Sequence, residues 1–216
     1  MTQALVDRLP PRVRFLPWVG PNYWNRGLSQ ERLLIIGESH YSGSEADIPG
    51  DSRNRNLTRR DIKWQFGPKS WAYFTKVATT MSLRGISSNS DKGQFWREVA
   101  FYNYAQRIVG VGARIAPTLE VWKSAQAPLE DVLDVLLPTH VLTTGKRLWM
   151  NLPQDWGPSA RPPLSFEGGN WDLCEGSTRG GRRFWATYIP HPSSFGYSPG
   201  RWNPLVGHFS ALDPIK

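Results

Sequence analysis

Two short polar motifs each follow an apolar run. Gly37-Glu38-Ser39-His40-Tyr41 follows Leu33-Leu34-Ile35-Ile36, and His191-Pro192-Ser193-Ser194 follows Phe184-Trp185-Ala186-Thr187-Tyr188-Ile189. Short continuous apolar runs fit strands covered on both faces, as in a parallel sheet. Ligands of open α/β sheets bind outside the carboxyl ends of such strands. The two motifs are therefore expected to form the two halves of one site. A carboxylate at Glu38 can orient water or stabilise developing positive charge; the alternative is that it caps the next turn or pairs with an arginine. Gly37 permits a tight turn and the close approach of a ligand. His191 is stiffened between Pro190 and Pro192. When neutral it can donate to an oxygen gaining negative charge, and when protonated it can serve as a general acid.

A third polar group, Asn103, stands in Phe101-Tyr102-Asn103-Tyr104. Its amide offers a donor and an acceptor side by side, as reading a base edge requires; an Asx turn is the competing explanation. The segment Phe195-Gly196-Tyr197-Ser198-Pro199-Gly200-Arg201-Trp202 reads as a glycine-flanked loop. Its aromatics either wedge into a base stack or fold back on the domain. His140 and His208 lack comparable context and read as structural. No phosphate-binding glycine loop, dinucleotide fingerprint, HExxH or GxSxG motif is present. A hydrolase built on Ser39 and His191 is conceivable but has no nucleophile elbow and no evident orienting aspartate.

The elements that must carry these groups follow from pattern. Residues 1–29, rich in Pro, Trp, Gly and Arg, read as an N-terminal arm packed on a single domain spanning 30–216. Residues 42–69 read as a long polar loop carrying Arg53, Arg55, Arg59, Arg60 and Lys63. A helix is expected over 70–81, capped by Ser70, with Trp71, Phe74, Val77 and Ala78 on one face. Phe95–Ala100 reads as a helix leading into a short strand or turn at 101–104. Thr118 caps a further helix, and Leu129, Val132, Leu133 and Leu136 mark another that Pro138 stops. Val141–Gly145 is then a strand, and a helix starts at Lys146. This helix–Pro–strand–Gly–helix order is an α/β crossover pattern. Residues 153–183 are poorly patterned, and Phe184–Ile189 is the last strand.

The chain has 216 residues, a net charge of +8 and 11 tryptophans. The charge favours anionic partners, nucleic acid first among them, and aromatics beside arginines can stack on bases as well as build core. One cysteine, Cys174, excludes an internal disulfide and any multi-cysteine zinc or iron–sulfur site within this sequence. No apolar run is long enough to span a membrane. The first residues lack a signal-peptide pattern, so the expected compartment is the cytoplasm.

With these residues in place, the sequence resembles the uracil-DNA glycosylase superfamily over roughly residues 30–210. Gly37-Glu38-Ser39-His40-Tyr41 is similar to its first motif, a glycine at a strand end before a polar catalytic residue. His191-Pro192-Ser193-Ser194-Phe195 is similar to its second, a His-Pro-Ser sequence followed by a hydrophobic wedge. The segment from Leu129 through Pro138 to Leu148 matches its helix–Pro–strand–Gly–helix unit. The sequence departs from the family where Ser39 stands in place of the frequent Asp or Asn and His40 in place of the usual proline; Glu38 matches branches with an acidic residue directly after the glycine.

The resemblance implies a three-layer α/β/α domain around a central, mostly parallel four-stranded sheet. It also implies hydrolysis of the N-glycosidic bond of uracil or another altered base flipped out of DNA, without metal or organic cofactor. Glu38 and His191 would be catalytic. Gly37, Ser39, Tyr41, Asn103 and Phe66 (or Trp64 in place of Phe66) would bind the base, and Ser193, Ser194, Phe195, Tyr197 and Arg201 would contact DNA. The enzyme would be monofunctional, because neither motif carries a lysine nucleophile and Lys63 and Lys146 are only remote candidates. It would act as a monomer on single- or double-stranded DNA. The alternative is an inactive module on the same fold that binds nucleic acid or a nucleotide.

Overall fold

The computed structural model describes residues 3–25, 31–68, 71–82, 86, 88–112, 114–153, 164–166 and 169–215. In chain order these form α1 (Gln3–Asp7), β1 (Trp18–Val19), β2 (Leu33–Gly37), β3 (His40–Ser42), α2 (Ile48–Arg53), α3 (Leu57–Lys63), α4 (Ala72–Met81), α5 (Asn89–Glu98), β4 (Ala100–Asn103) and β5 (Ile108–Val111). They continue with α6 (Leu119–Ser124), α7 (Gln126–Leu136), β6 (His140–Thr144), α8 (Lys146–Trp149), β7 (Leu164–Phe166), β8 (Gly169–Trp171), β9 (Leu173–Ser177), β10 (Arg183–Ile189) and α9 (Pro199–Ser210).

Leu33–Gly37 is buried at every position because it runs through the middle of the main sheet. Among the described residues that sheet has six strands in the order β1-β4-β2-β6-β10-β9. β2 pairs parallel with β4 and β6, and β10 pairs parallel with β6. The flanking strands β1 and β9 are antiparallel to their neighbours. The expected four-stranded sheet is thus replaced by a six-stranded mixed one. Both extra strands escaped the sequence pattern for physical reasons. β1 is two residues inside a Pro-rich arm, and β9, Leu-Cys-Glu-Gly-Ser, has no apolar run and joins β10 by a short hairpin.

Alternation along the parallel strands divides the core between the two faces of the sheet. Leu34, Ile36, Ala100, Tyr102, Val141 and Ala186 pack with Leu129, Val132, Leu133 and Leu136 of α7. Leu33, Ile35, Phe101, Leu142 and Trp185 pack with Phe74, Val77 and Ala78 of α4 and with Leu205, Val206 and Phe209 of α9. Continuous apolar strands are the sequence consequence of burial on both sides. Thr118 caps α6 by accepting the Val121 N–H. α7 ends at Leu137, which takes the left-handed conformation (φ 47°) directly before Pro138, since proline disfavours a helical residue ahead of it. α4 starts at Ala72 with Trp71 at its cap position; the expected cap, Ser70, lies outside the described residues.

The expected long loop over 42–69 is instead largely helical, containing α2 and α3. Its buried positions in α3 are Leu57, Thr58, Asp61 and Ile62, a helical stripe in which two of the four members are polar and so invisible to an apolar pattern. The arginines of this segment hold the protein together. Arg55 Nη2 donates to the carbonyls of Leu9 (3.0 Å), Pro10 (3.4 Å) and Val13 (3.0 Å). Arg59 donates to Pro17 O and pairs with Asp7. These bonds press the arm onto the domain, where Val6, Leu9, Val13, Phe15 and Leu16 are buried. Among the described residues no helix is long and apolar enough to cross a membrane.

Truncating Arg55 strands these three carbonyls under the arm. Arg55→Ala is expected to lower the unfolding free energy by about 2 kcal/mol, read as a drop in the denaturation midpoint.

Candidate active site

Parallel pairing brings the strand ends to one edge. Gly37 of β2 lies opposite Asn103 of β4, Ile36 lies opposite Thr143 of β6, and Thr144 lies opposite Ile189 of β10. The residues just past these ends face a cavity of about 1120 Å³ whose walls include Glu38, Ser39, Tyr41, Asn103, Ser193 and His191. The two motifs and Asn103 therefore meet around one space.

Gly37 is required here for close approach alone, since its backbone lies outside the left-handed region. A β-carbon on it would lie 2.3 Å from Asn103 Oδ1 and 2.7 Å from Phe101 Cζ. Asn103 is itself buried, with its Nδ2 3.0 Å from His40 Nε2. The backbone after β4 is tied to the first motif, Tyr104 N–H donating to Gly37 O and Ala105 N–H to Glu38 O.

His191 is fixed from several directions. Its ring lies 5.2 Å from that of Tyr73 at 30°. Lys76 Nζ donates to Pro192 O (3.1 Å), and Ser194 N–H donates to His191 O (2.8 Å). Ser193 N–H donates to Nδ1 (3.1 Å), so a neutral ring carries its proton on Nε2. Burial pushes the His191 pKa below the ordinary imidazole value; Glu38 opposes this and Arg147 adds to it. The result favours a neutral N–H donor.

Glu38 is paired. Arg147 of α8 grips both of its oxygens, Nε to Oε2 at 2.8 Å and Nη2 to Oε1 at 2.5 Å. Glu38 is 11% exposed and Arg147 51%, so the pair stands at the mouth with the arginine outward. Both oxygens being engaged, the carboxylate offers fixed negative charge more readily than a free base. The Tyr73 hydroxyl lies 2.8 Å from Thr144 Oγ1. Because Thr144 gives its own hydrogen to Ile36 O, Tyr73 is the donor in that pair. Burial drives its pKa upward, which keeps the phenol protonated beside His191.

Of the other expected site residues, some line the cavity and some lie elsewhere. Phe66 is turned away from the cavity, packed on Trp18 (5.6 Å) and beneath Arg97 (5.6 Å). Trp64 is exposed and contacts Trp71; Trp71 and Tyr73 are among the aromatics that line the space. Both Phe66 and Trp64 belong to a short helical turn whose orientation is set by the preceding α3. Tyr197 folds back, its hydroxyl 2.6 Å from Thr80 Oγ1 and its ring under Lys76. Phe195 is fully exposed at the cavity rim. Ser193 and Ser194 line the cavity, while Arg201 lies over Trp202 on α9, outside it. Ser39 lines the same cavity as His191, and among the described residues no hydrogen bond joins it to a histidine. No cluster of three or more His, Cys, Asp or Glu among the described residues is placed to hold a metal ion.

Arg147, Tyr73 and Asp61 were not singled out by sequence. Arg147 had a usable signal: it follows the strand end Thr144-Gly145 at the same edge as Glu38. Tyr73 lies one position off the apolar stripe of α4 and had none. No protein-family model matches the sequence, and no curated protein matches it significantly.

Two outcomes follow. Gly37→Ala forces Asn103 and Phe101 apart and is expected to cost about 1–3 kcal/mol of stability, measured by chemical denaturation. In NMR titrations the His191 ring should titrate below the ordinary imidazole value. It should move lower still in Glu38→Gln, which removes a charge that favours the imidazolium, and higher in Arg147→Gln, which removes one that opposes it.

Proposed function

We propose that this protein is a DNA glycosylase, acting on uracil or another altered base flipped from DNA, on a three-layer domain of the uracil-DNA glycosylase type. The observation that carries the reading is the meeting of Glu38, Asn103 and His191, whose Nδ1 accepts from Ser193 N–H and leaves Nε2 to carry the proton, at the carboxyl ends of parallel strands around one cavity. These groups match the charges of the reaction. As the C1′–N bond breaks, its electron pair leaves with the base while positive charge grows on the sugar. Glu38 stabilises the sugar. His191 Nε2–H donates to the base oxygen that gains negative charge, a preorganised contact worth roughly 3–4 kcal/mol. The oxygen of water then bonds to C1′ and its proton passes to solvent. Asn103 meets the base edge, and Tyr41 at the mouth restricts bulky substituents.

DNA enters through phosphate contacts. Ser193, Ser194 and the exposed Phe195 lie on the rim in positions suited to a phosphate and to the gap left by a flipped base. Arg147 links binding to chemistry, because a substrate phosphate competes with Glu38 for its guanidinium and frees the carboxylate.

The same ion pair favours a second reading. With both Glu38 oxygens held by Arg147, the chain would bind nucleic acid or a nucleotide without cleaving it.

One assay separates the two. The protein is incubated with labelled oligonucleotides bearing uracil, hypoxanthine, xanthine or modified pyrimidines, followed by alkali. Strand breaks are expected, reduced by about 10²–10³-fold in His191→Ala and strongly in Glu38→Ala. Tight, salt-sensitive binding without breaks on any substrate would overturn catalysis in favour of the binding module.

A further inference from the structure

His40 takes the place of the proline usual in the motif it resembles. It is 5% exposed and, with Asp61, forms part of the floor of the cavity, with the edge of Phe15 against it at 4.9 Å. Both ring nitrogens are engaged. Nδ1 is 3.3 Å from Asp61 Oδ2. Nε2 is 2.8 Å from Thr58 Oγ1 and 3.0 Å from Asn103 Nδ2. Thr58, His40 and Asp61 thus line up as a nucleophilic triad would, but Thr58 is fully buried and no substrate reaches it. The line of contacts leads instead to Asn103.

The chemistry of each partner fixes the direction of every bond. A carboxylate 3.3 Å from Nδ1 would repel a lone pair there, so the proton of the ring belongs on Nδ1. Arg60 lies between two carboxylates, Nε 3.3 Å from the other Asp61 oxygen and Nη1 3.0 Å from Asp51. With its proton on Nδ1, the ring offers a lone pair at Nε2, which only donors can meet. The Thr58 hydroxyl and the Asn103 amide nitrogen are the two groups present. Asn103 is therefore held by its nitrogen. Its Oδ1, on the Gly37 side, accepts from no protein donor among the described residues, although the residue lines the cavity.

We propose that Asp61 and His40 are positioning residues that set the polarity of the Asn103 amide. They reserve Oδ1 as an acceptor for a ring N–H of the bound base and leave one Nδ2–H for an adjacent carbonyl. The opposite histidine tautomer would point Nε2–H at Asn103, turn the amide over and present a donor in place of the acceptor. The pair therefore selects bases whose edge carries a ring N–H beside a carbonyl over bases with a bare ring nitrogen beside an amino group. The selectivity, though not the tautomer, rests on the base-binding reading of Asn103.

The tautomer is tested on the unaltered protein by long-range ¹H–¹⁵N correlation. His40 is expected to carry its proton on Nδ1 and to show a coupling across the hydrogen bond between Nε2 and Asn103 Nδ2. A proton on Nε2 alone would overturn the proposal. Selectivity is tested by the ratio of affinities for matched oligonucleotides bearing a single uracil or a single cytosine at the same position. The unaltered protein should prefer uracil. His40→Leu, confirmed as folded by circular dichroism, should reduce the ratio roughly tenfold. His40→Gln, whose side-chain carbonyl can still accept from Asn103, should restore part of it. A ratio unchanged in folded His40→Leu would overturn the positioning role. Equal affinity for both oligonucleotides in the unaltered protein would sink the base reading of Asn103, while the tautomer assignment would still stand or fall on the spectrum.

Discussion

The backbone of Gly37 and the side chain of Asn103 share a space that no β-carbon can enter. The parallel register of β2 and β4 places these residues opposite each other, and the absence of a side chain at 37 lets the amide lie against the strand. Much else follows from that approach. Asn103 comes within reach of His40, and the segment after β4 can bond back to Gly37 and Glu38. The first motif is thereby drawn over the sheet edge, where Glu38 faces the loop that carries His191. The usual glycine argument, freedom to adopt unusual backbone angles, does not apply at this position; the gain is volume.

The electrostatics of the site are arranged in two tiers. At the mouth, a half-exposed arginine and a nearly buried glutamate form a pair in contact with solvent, of the kind an incoming anion can reorganise. Beneath it lie polar groups held in fixed geometry. Burial disfavours the charged forms of His191 and Tyr73, and Asp61 lies between Arg60 and His40. Donors and acceptors held in this way keep their directions, which suits recognition of a polar edge. The adjustable charge is left at the entrance.

The parts of this arrangement legible in sequence were those carried by long apolar periodicity or by punctuation. Leu33–Ile36 and Phe184–Ile189 announced the strands, Thr118 and Pro138 bounded the helices on one face, and the groups immediately after the strand ends announced the site. The pairing of Glu38 with an arginine was legible as an alternative, but the partner was not, because Arg147 comes from a separate strand end. What escaped was what polar residues build when buried. The stripe of α3 mixes Leu57 and Ile62 with Thr58 and Asp61, so it reads as loop. Arg55 and Arg59 read as charged residues of a polar loop yet spend donors on carbonyls of the arm. Phe66, read as part of a loop, stands on a short helical turn, and the directions of Phe66 and Tyr197 depend on neighbours distant in sequence, Trp18 and Thr80.

The arm has a further consequence, and it is one of time. Phe15 N–H bonds to Gln106, 91 residues away, Trp18 bonds to Trp96 across 78, and Arg12 bonds to Asp131 across 119. Contacts so distant in sequence are slow to form, because the loop they close must lose its entropy before the contact repays it. During synthesis the arm emerges well before these partners, so its docking must wait for them. Phe15 also braces His40 from below. The floor of the cavity is thus completed by a segment that is synthesised well before the residues it bonds to.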